Sequence, residues 1–220
     1  DPNPTCPASY TANVVEGDYT DLPTLSAFAE QVDRITFEFE NVNTQVLSRL
    51  SASVPLLPGL PALSMAQDRS QEKAFFVEHG VPCADYRVVK DQAALEAAVQ
   101  ALGGDVIVKT CRDGYDGKGQ ASVQPGDDVH SLFARLGGVP LMVEKRIRFD
   151  RELSLIAARD EQGRVVCYPL TENQHHEGIL RRSQPVDEPH WQRAAEQMTI
   201  PLLEALDYIG VMTVEYFFCE

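Results

Sequence analysis

The 220-residue chain carries 19 Lys+Arg against 33 Asp+Glu, a formal net charge of −14, and 44% of its residues are hydrophobic. This is a globular composition, sufficient for one large or two small domains with a sizeable core. Its acidic balance repels phosphate surfaces, which excludes a general binder of nucleic acid or anionic membrane but leaves room for a local basic pocket.

No apolar run reaches the ~18 residues of a membrane span. The chain opens on Asp1 rather than Met, so a processed chain or a fragment is expected. Five cysteines (Cys6, Cys83, Cys111, Cys167 and Cys219) are scattered without a C-x-x-C pair. They read as reduced, buried thiols in a cytoplasmic setting.

Asp21-Leu-Pro predicts a capped helix running to about Gln31. Ile35 to Glu40 alternates strictly, with Ile35, Phe37 and Phe39 on one face and Thr36, Glu38 and Glu40 on the other, which predicts a half-buried strand. Val54 to Pro61 holds three prolines and reads as a connector. Helices follow over Asp68–His79, stopped by Gly80, and from Asp91 to Gly103-Gly104 with Leu95, Ala98, Val99 and Leu102 on one stripe. Asp105–Lys109 reads as a strand whose hairpin partner ends at Ser122-Val123. A helix over Asp127–Leu136 and a strand over Leu141–Glu144 come next. A hairpin turns at Gln162-Gly163, joining Glu152–Ala158 to Arg164–Tyr168. His175 and His176 fall in a polar loop; adjacent residues on extended chain point oppositely, so the pair is a poor metal site. Pro189 opens a long helix interrupted by Pro201, and Gly210–Phe218 is the last strand. Helices alternate with strands before hairpins intrude, giving an α/β chain mixed with α+β in more than one lobe.

Thr110-Cys-Arg-Asp-Gly-Tyr-Asp-Gly-Lys-Gly-Gln120 is the most informative stretch. Gly114, Gly117 and Gly119 lie between two strands, where backbone N–H groups can converge on an anion. Lys109 and Lys118 add positive charge. Glycine content alone also fits a long solvated turn, and neither the Walker pattern nor the dinucleotide fingerprint is present.

The motifs that follow carry a resemblance. Asp105–Lys109, Gly114–Gln120 and Val143-Glu-Lys-Arg-Ile147 resemble an ATP-grasp enzyme. So do Thr36–Val42, Gln67-Asp-Arg-Ser-Gln-Glu-Lys73, Phe149–Ser154, Tyr168–Asn173 with His175 and Gly178-Ile-Leu180, and Val214-Glu-Tyr-Phe217. Within that superfamily the set is similar to the N5-carboxyaminoimidazole ribonucleotide synthetase family, in family order from about residue 10 to the end. Gly-Tyr-Asp-Gly-Lys-Gly-Gln is its most specific piece; formate-using transformylases and biotin carboxylases place other residues at Tyr-Asp. Family members begin with a further strand and glycine loop and continue to an Asn-Glu pair, so the resemblance implies an internal fragment. It implies an ATP-grasp fold with a partial Rossmann-like preATP-grasp domain at 1–67, a small lid subdomain at 68–144 and part of the C-terminal ATP-grasp lobe at 145–220.

The resemblance also implies roles. Lys109 and Arg69 would meet ATP phosphates, with Gly114, Tyr115, Asp116, Gly117, Lys118, Gly119 and Gln120 folding over them. Asp116 and Lys118 would face the bicarbonate and aminoimidazole side, joining Lys109 as catalytic candidates. Glu144, Lys145, Arg146 and Ile147 would form the adenine hinge, Glu152 would bind ribose, and His175 would lie near the nucleotide. Glu215, read as an acidic residue in an apolar strand, would take Mg²⁺, with its second carboxylate in the missing segment. Lys73, four residues after Arg69, reads as an exposed helical lysine. His176 reads as solvated. The implied reaction consumes ATP, bicarbonate and 5-aminoimidazole ribonucleotide and gives N5-carboxyaminoimidazole ribonucleotide, ADP and phosphate, in a protein that is a homodimer when full length. Other readings are a formate-dependent glycinamide ribonucleotide transformylase, a biotin carboxylase, or an inactive nucleotide-binding fragment.

Overall fold

The structure, a computed structural model, describes residues 1–37, 39–114, 118–176 and 179–219. Its first part is helical. Helix α1 (Leu22–Ala29) is capped by Asp21, whose Oδ2 accepts from the Thr24 hydroxyl at 2.6 Å. Helices α2 (Thr44–Leu50) and α3 (Leu60–Ala66) were not legible as elements. Asn43 caps α2 through the N–H groups of Gln45 and Val46. Helix α3 begins within the expected connector, because Pro61 sits in the first turn, where a missing N–H costs nothing.

The expected strand at 35–40 is reduced to one parallel bridge, Ile35 to Leu56. Ile35 N–H donates to Pro55 O at 2.8 Å and Leu57 N–H to Ile35 O at 2.9 Å. Pro55 has no N–H to give to Asp33 O, so the ladder cannot lengthen before Ile35. The apolar face fades along the segment: Ile35 is buried, Phe37 half-buried and Phe39 exposed, with Glu38 outside the described residues.

Helix α4 (Arg69–Glu78) is capped by Asp68 and precedes strand β1 (Tyr86–Val89). Helix α5 (Gln92–Ala101), strands β2 (Val106–Thr110) and β3 (Gln120–Val123), helix α6 (Leu132–Arg135) and strand β4 (Leu141–Lys145) complete an antiparallel sheet in the order β1-β4-β2-β3. The predicted stripe of α5 packs on Val106, Val108, Leu141 and Val143. Helix α6 is shorter than the expected 127–136. Asp127 and Asp128 side chains instead accept from the N–H groups of Gln124 and His130, local bonds that compete with a helix start.

The second sheet is built on β5 (Arg151–Arg159), paired along its whole length with β9 (Gly210–Phe218). Strands β6 (Val165–Cys167) and β7 (Thr171–His176) share the other edge of β5, and β8 (Ile179–Pro185) extends from β7. The expected polar loop at 171–176 is therefore a strand; its run of polar side chains shows no two-residue apolar period to read. Helix α7 (Pro189–Ala205) continues through Pro201 and covers one face of this sheet, where Ala195 meets Leu153, Leu155 and Leu170. Helix α4 packs on the same body: Phe75 and Phe76 lie against Val81, Leu202 and Val214. Among the described residues no helix is long and apolar enough to cross a membrane.

Candidate functional site

Strand alternation creates a cleft between the sheets. Val106, Val108 and Thr110 are buried in β2, which turns Ile107 and Lys109 to the opposite face. On β4, Leu141 and Val143 join the α5 core, while Glu144 lies directly opposite Ile107. The resulting cleft of about 1140 Å³ is lined by both sheets and α4, including Arg69, Lys73, Lys109, Glu144 and Glu215.

Glu144 is the electrostatic centre of this wall. Its Oε2 accepts from Lys109 Nζ at 2.7 Å, and its Oε1 lies 3.2 Å from Lys73 Nζ. Burial pushes its carboxyl up, but the two lysines more than offset this and hold it below the ordinary carboxylate value. Lys73 is thus no exposed helical lysine: its side chain is 22% exposed and committed to an ion pair. The i,i+4 spacing from Arg69 to Lys73, which puts both on one helix face, was the signal available in the sequence. A depressed folded-state value stabilises the protein above the unfolded value of 4.5, and that contribution is lost as pH falls through the folded value. Denaturant titrations of the parent and Glu144→Gln, from about pH 7 to about pH 3, should show the parent's stability falling relative to the variant below pH 4.5. A pH-independent difference would refute the pairing.

The base of the glycine loop is built around Arg69 and Thr110. Arg69 Nη1 donates to Thr110 O and Nη2 to Gly114 O, both at 2.9 Å, while its backbone N–H donates to Cys111 O. The guanidinium therefore grips the loop itself. Asp68, which caps α4, also holds Arg112 at 3.0 Å. A Cβ on Gly114 would lie 3.0 Å from Arg69 Nη1, and one on Gly119 only 2.7 Å from Thr110 Oγ1. Thr110 Oγ1 is buried and has no hydrogen-bond partner among the described residues. Lys118 and Gln120 are exposed. Tyr115, Asp116 and Gly117 lie outside the described residues. Sequence reasoning gave Thr110 no role, although its buried position in the β2 alternation was readable. It likewise passed over Gln67, whose amide donates to Glu40 O at 2.6 Å and Val42 O at 2.7 Å and so fixes Glu40 on the cleft wall. Glu72, on the same wall, has its carboxyl pushed up by burial against the opposing pull of Lys73 and Arg69.

The hinge segment leaves β4 with its backbone partly committed. Lys145 N–H donates to Asp85 O at 2.8 Å and Arg146 N–H to Asp105 O at 3.0 Å. The Arg146 side chain is drawn to Asp105 at 2.7 Å and to the Ser122 hydroxyl, while Lys145 and Ile147 also line the cleft.

Glu152, His175 and Glu215 share the face of the second sheet opposite α7, with Glu152 opposite Asn173 and Glu215 opposite Ser154. His175 Nδ1 lies 3.2 Å from Glu152 Oε1, a contact not aligned as a hydrogen bond, since that oxygen has no hydrogen-bond partner among the described residues. Neither residue lines the cleft directly, whereas Glu215 does. The apolar setting expected for Glu215 is not observed: Val214 points into the core and Glu215 is exposed. Partial burial and then Glu152 push its carboxyl up, opposed by His175. A hard divalent cation takes one or two carboxylates plus phosphate oxygens, and the Glu215 carboxylate on the cleft suits one place in that donor set. Among the described residues no group of three ligating side chains gathers. His176 is exposed, as expected. Cys6 and Cys111 are buried, but Cys219 is exposed; burial pushes the Cys83, Cys111 and Cys167 thiols up, which keeps them protonated.

The ATP-grasp domain family matches residues 74–220, and the ribonucleotide synthetase preATP-grasp domain matches residues 1–67. The N5-carboxyaminoimidazole ribonucleotide synthase of Pseudomonas aeruginosa is 39% identical over 217 residues, 99% of this chain and 60% of that protein. The crystal structure of the synthetase from Thermus thermophilus superposes with a TM-score of 0.92 at 38% identity, covering 99% of this chain and 60% of that one. The Staphylococcus aureus synthetase complexed with ADP superposes with a TM-score of 0.92 at 30% identity, over 99% and 59%. The chain thus spans about 60% of the length of the relatives it matches.

Proposed function

The chain belongs to the ATP-grasp family, and from that premise we propose that its protein carboxylates 5-aminoimidazole ribonucleotide with bicarbonate and ATP, in purine biosynthesis. The observation that carries the reading is the position of Lys109, at the end of β2 beside the glycine loop's base, on a cleft wall shared with the 144–147 hinge. The synthase activity named for the Pseudomonas aeruginosa relative and the Staphylococcus aureus ADP complex support it.

ATP would lie with adenine against Glu144–Ile147 and its phosphates against Lys109 and Arg69. Bicarbonate is a weak electrophile; phosphorylation to carboxyphosphate supplies a leaving group, and the aminoimidazole nitrogen then takes the carboxylate. Carboxyphosphate hydrolyses readily, so the cleft must exclude water, the task we assign to the segment Gly114–Gln120 with Tyr115, Asp116, Gly117 and Lys118. Lys109 acts by positioning and charge neutralisation rather than by covalent attack. Glu152 would accept from ribose hydroxyls beside His175. Glu215 would hold Mg²⁺, which supplies charge neutralisation at the phosphates. We read residues 1–67 as part of the preATP-grasp domain, 68–144 as the lid subdomain and 145–220 as part of the C-terminal lobe. The full-length protein would be a cytoplasmic homodimer with small-molecule substrates and no nucleic-acid or membrane partner.

The test is ADP release by the full-length protein with bicarbonate, with and without 5-aminoimidazole ribonucleotide. Strong dependence on the nucleotide is expected. Release indifferent to it would remove the substrate assignment and leave an ATP-grasp ligase with another acceptor.

A further inference from the structure

We propose that Lys73 is a positioning residue, the standing counter-ion that keeps Glu144 paired while Lys109 turns to the nucleotide phosphates. The inference rests on the phosphate role of Lys109 given above. Glu144 is 7% exposed, and its oxygens are divided between two cations: Oε2 to Lys109 at 2.7 Å, Oε1 to Lys73 at 3.2 Å. The cations come from different bodies. Lys109 stands on β2 in the four-stranded sheet, while Lys73 stands on α4, which Phe75 and Phe76 anchor to the second sheet and α7.

A lysine drawn toward phosphate loosens its hold on Glu144. With no second cation, a buried carboxylate would be left uncompensated, and that cost would oppose nucleotide binding directly. The Lys73 contact to Oε1 does not depend on Lys109, so it removes the cost. One cation stays with the carboxylate and one is free to act. The division also explains why a phosphate-directed lysine can rest on a buried glutamate without being trapped there.

The experiment measures ADP affinity calorimetrically on the full-length protein and its Lys73→Met, Lys73→Arg, Glu144→Gln and Lys109→Met variants. Lys73→Met should weaken ADP at least about tenfold, equivalent to about 1.4 kcal/mol, with Lys73→Arg within about threefold of the parent. In the Glu144→Gln background, where no buried charge needs a partner, Lys73→Met should change affinity less than about twofold. A purely structural role would produce the same loss in both backgrounds, and that result overturns the inference. So does a Lys73→Met protein that binds ADP as the parent does, or one whose melting point drops by more than about 10 °C. If Lys109→Met binds ADP as tightly as the parent, the phosphate role fails and this inference with it. That arm does not involve Lys73, so the two failures are distinguishable.

Discussion

Replacing Lys109 with methionine should cut acceptor-dependent ADP release by the full-length protein by about a hundredfold to a thousandfold, the scale of losing one preorganised charge at a developing anion. Methionine keeps much of the apolar stem and removes the ammonium. The fold should survive, because Glu144 retains Lys73 at 3.2 Å. Loss of release with a melting point within a few degrees of the parent would separate catalysis from stability. Lys109→Arg should not restore the rate: a planar fork on a longer stem does not place one compact charge where the ammonium sits. Steady-state kinetics with ATP varied would check this. Near-parental release by Lys109→Met would sink the phosphate role.

The sequence made visible what local rules govern. Asp21, Asp68 and Asp91 all cap the helices expected of them, because an N-cap is a bond within three residues. The α5 stripe and the β2 and β5 strands were equally readable, since burial imposes their periods. What failed depended on partners far along the chain. The alternation at 35–40 has the pattern of a strand, but a strand needs a partner alongside it, and among the described residues pairing stops at the Ile35–Leu56 bridge. The polar hairpin β7–β8 is held by ladder bonds rather than by an apolar face, so it left no periodic trace. The site followed the same division. Lys109, Glu144 and the glycine ends were candidates by motif, and Lys109 and Glu144 meet on one cleft wall. The pairing of Lys73 with Glu144, 71 positions apart by their numbers, is set by how α4 docks on the second sheet and could not be read from either residue's neighbours.

Gly119→Ala should reduce acceptor-dependent ADP release by about tenfold to a hundredfold, on the scale of a small misplacement of binding groups. Two independent constraints act at this residue. Its φ of +70° costs an L side chain roughly 1–2 kcal/mol, and its added Cβ would meet Thr110 Oγ1 at 2.7 Å. Thr110 cannot give way easily. Thr110 is buried and β-branched, so its χ1 is stiff, and its N–H donates to Gly119 O at 2.8 Å, holding the two backbones together. Gly126 provides the control. It also has positive φ, +96°, but nothing lies within 4 Å of its added Cβ. Gly126→Ala should therefore cost roughly 1–2 kcal/mol of stability and leave ADP release unchanged. Shortening Thr110 to alanine removes the clashing oxygen while leaving the φ strain, so Thr110→Ala with Gly119→Ala should recover part of the lost rate. Rate measurements on the single and double variants, with denaturant unfolding alongside, resolve the two constraints. If Gly119→Ala behaves like Gly126→Ala, the close approach to Thr110 has no bearing on the chemistry, and backbone conformation alone accounts for the glycine.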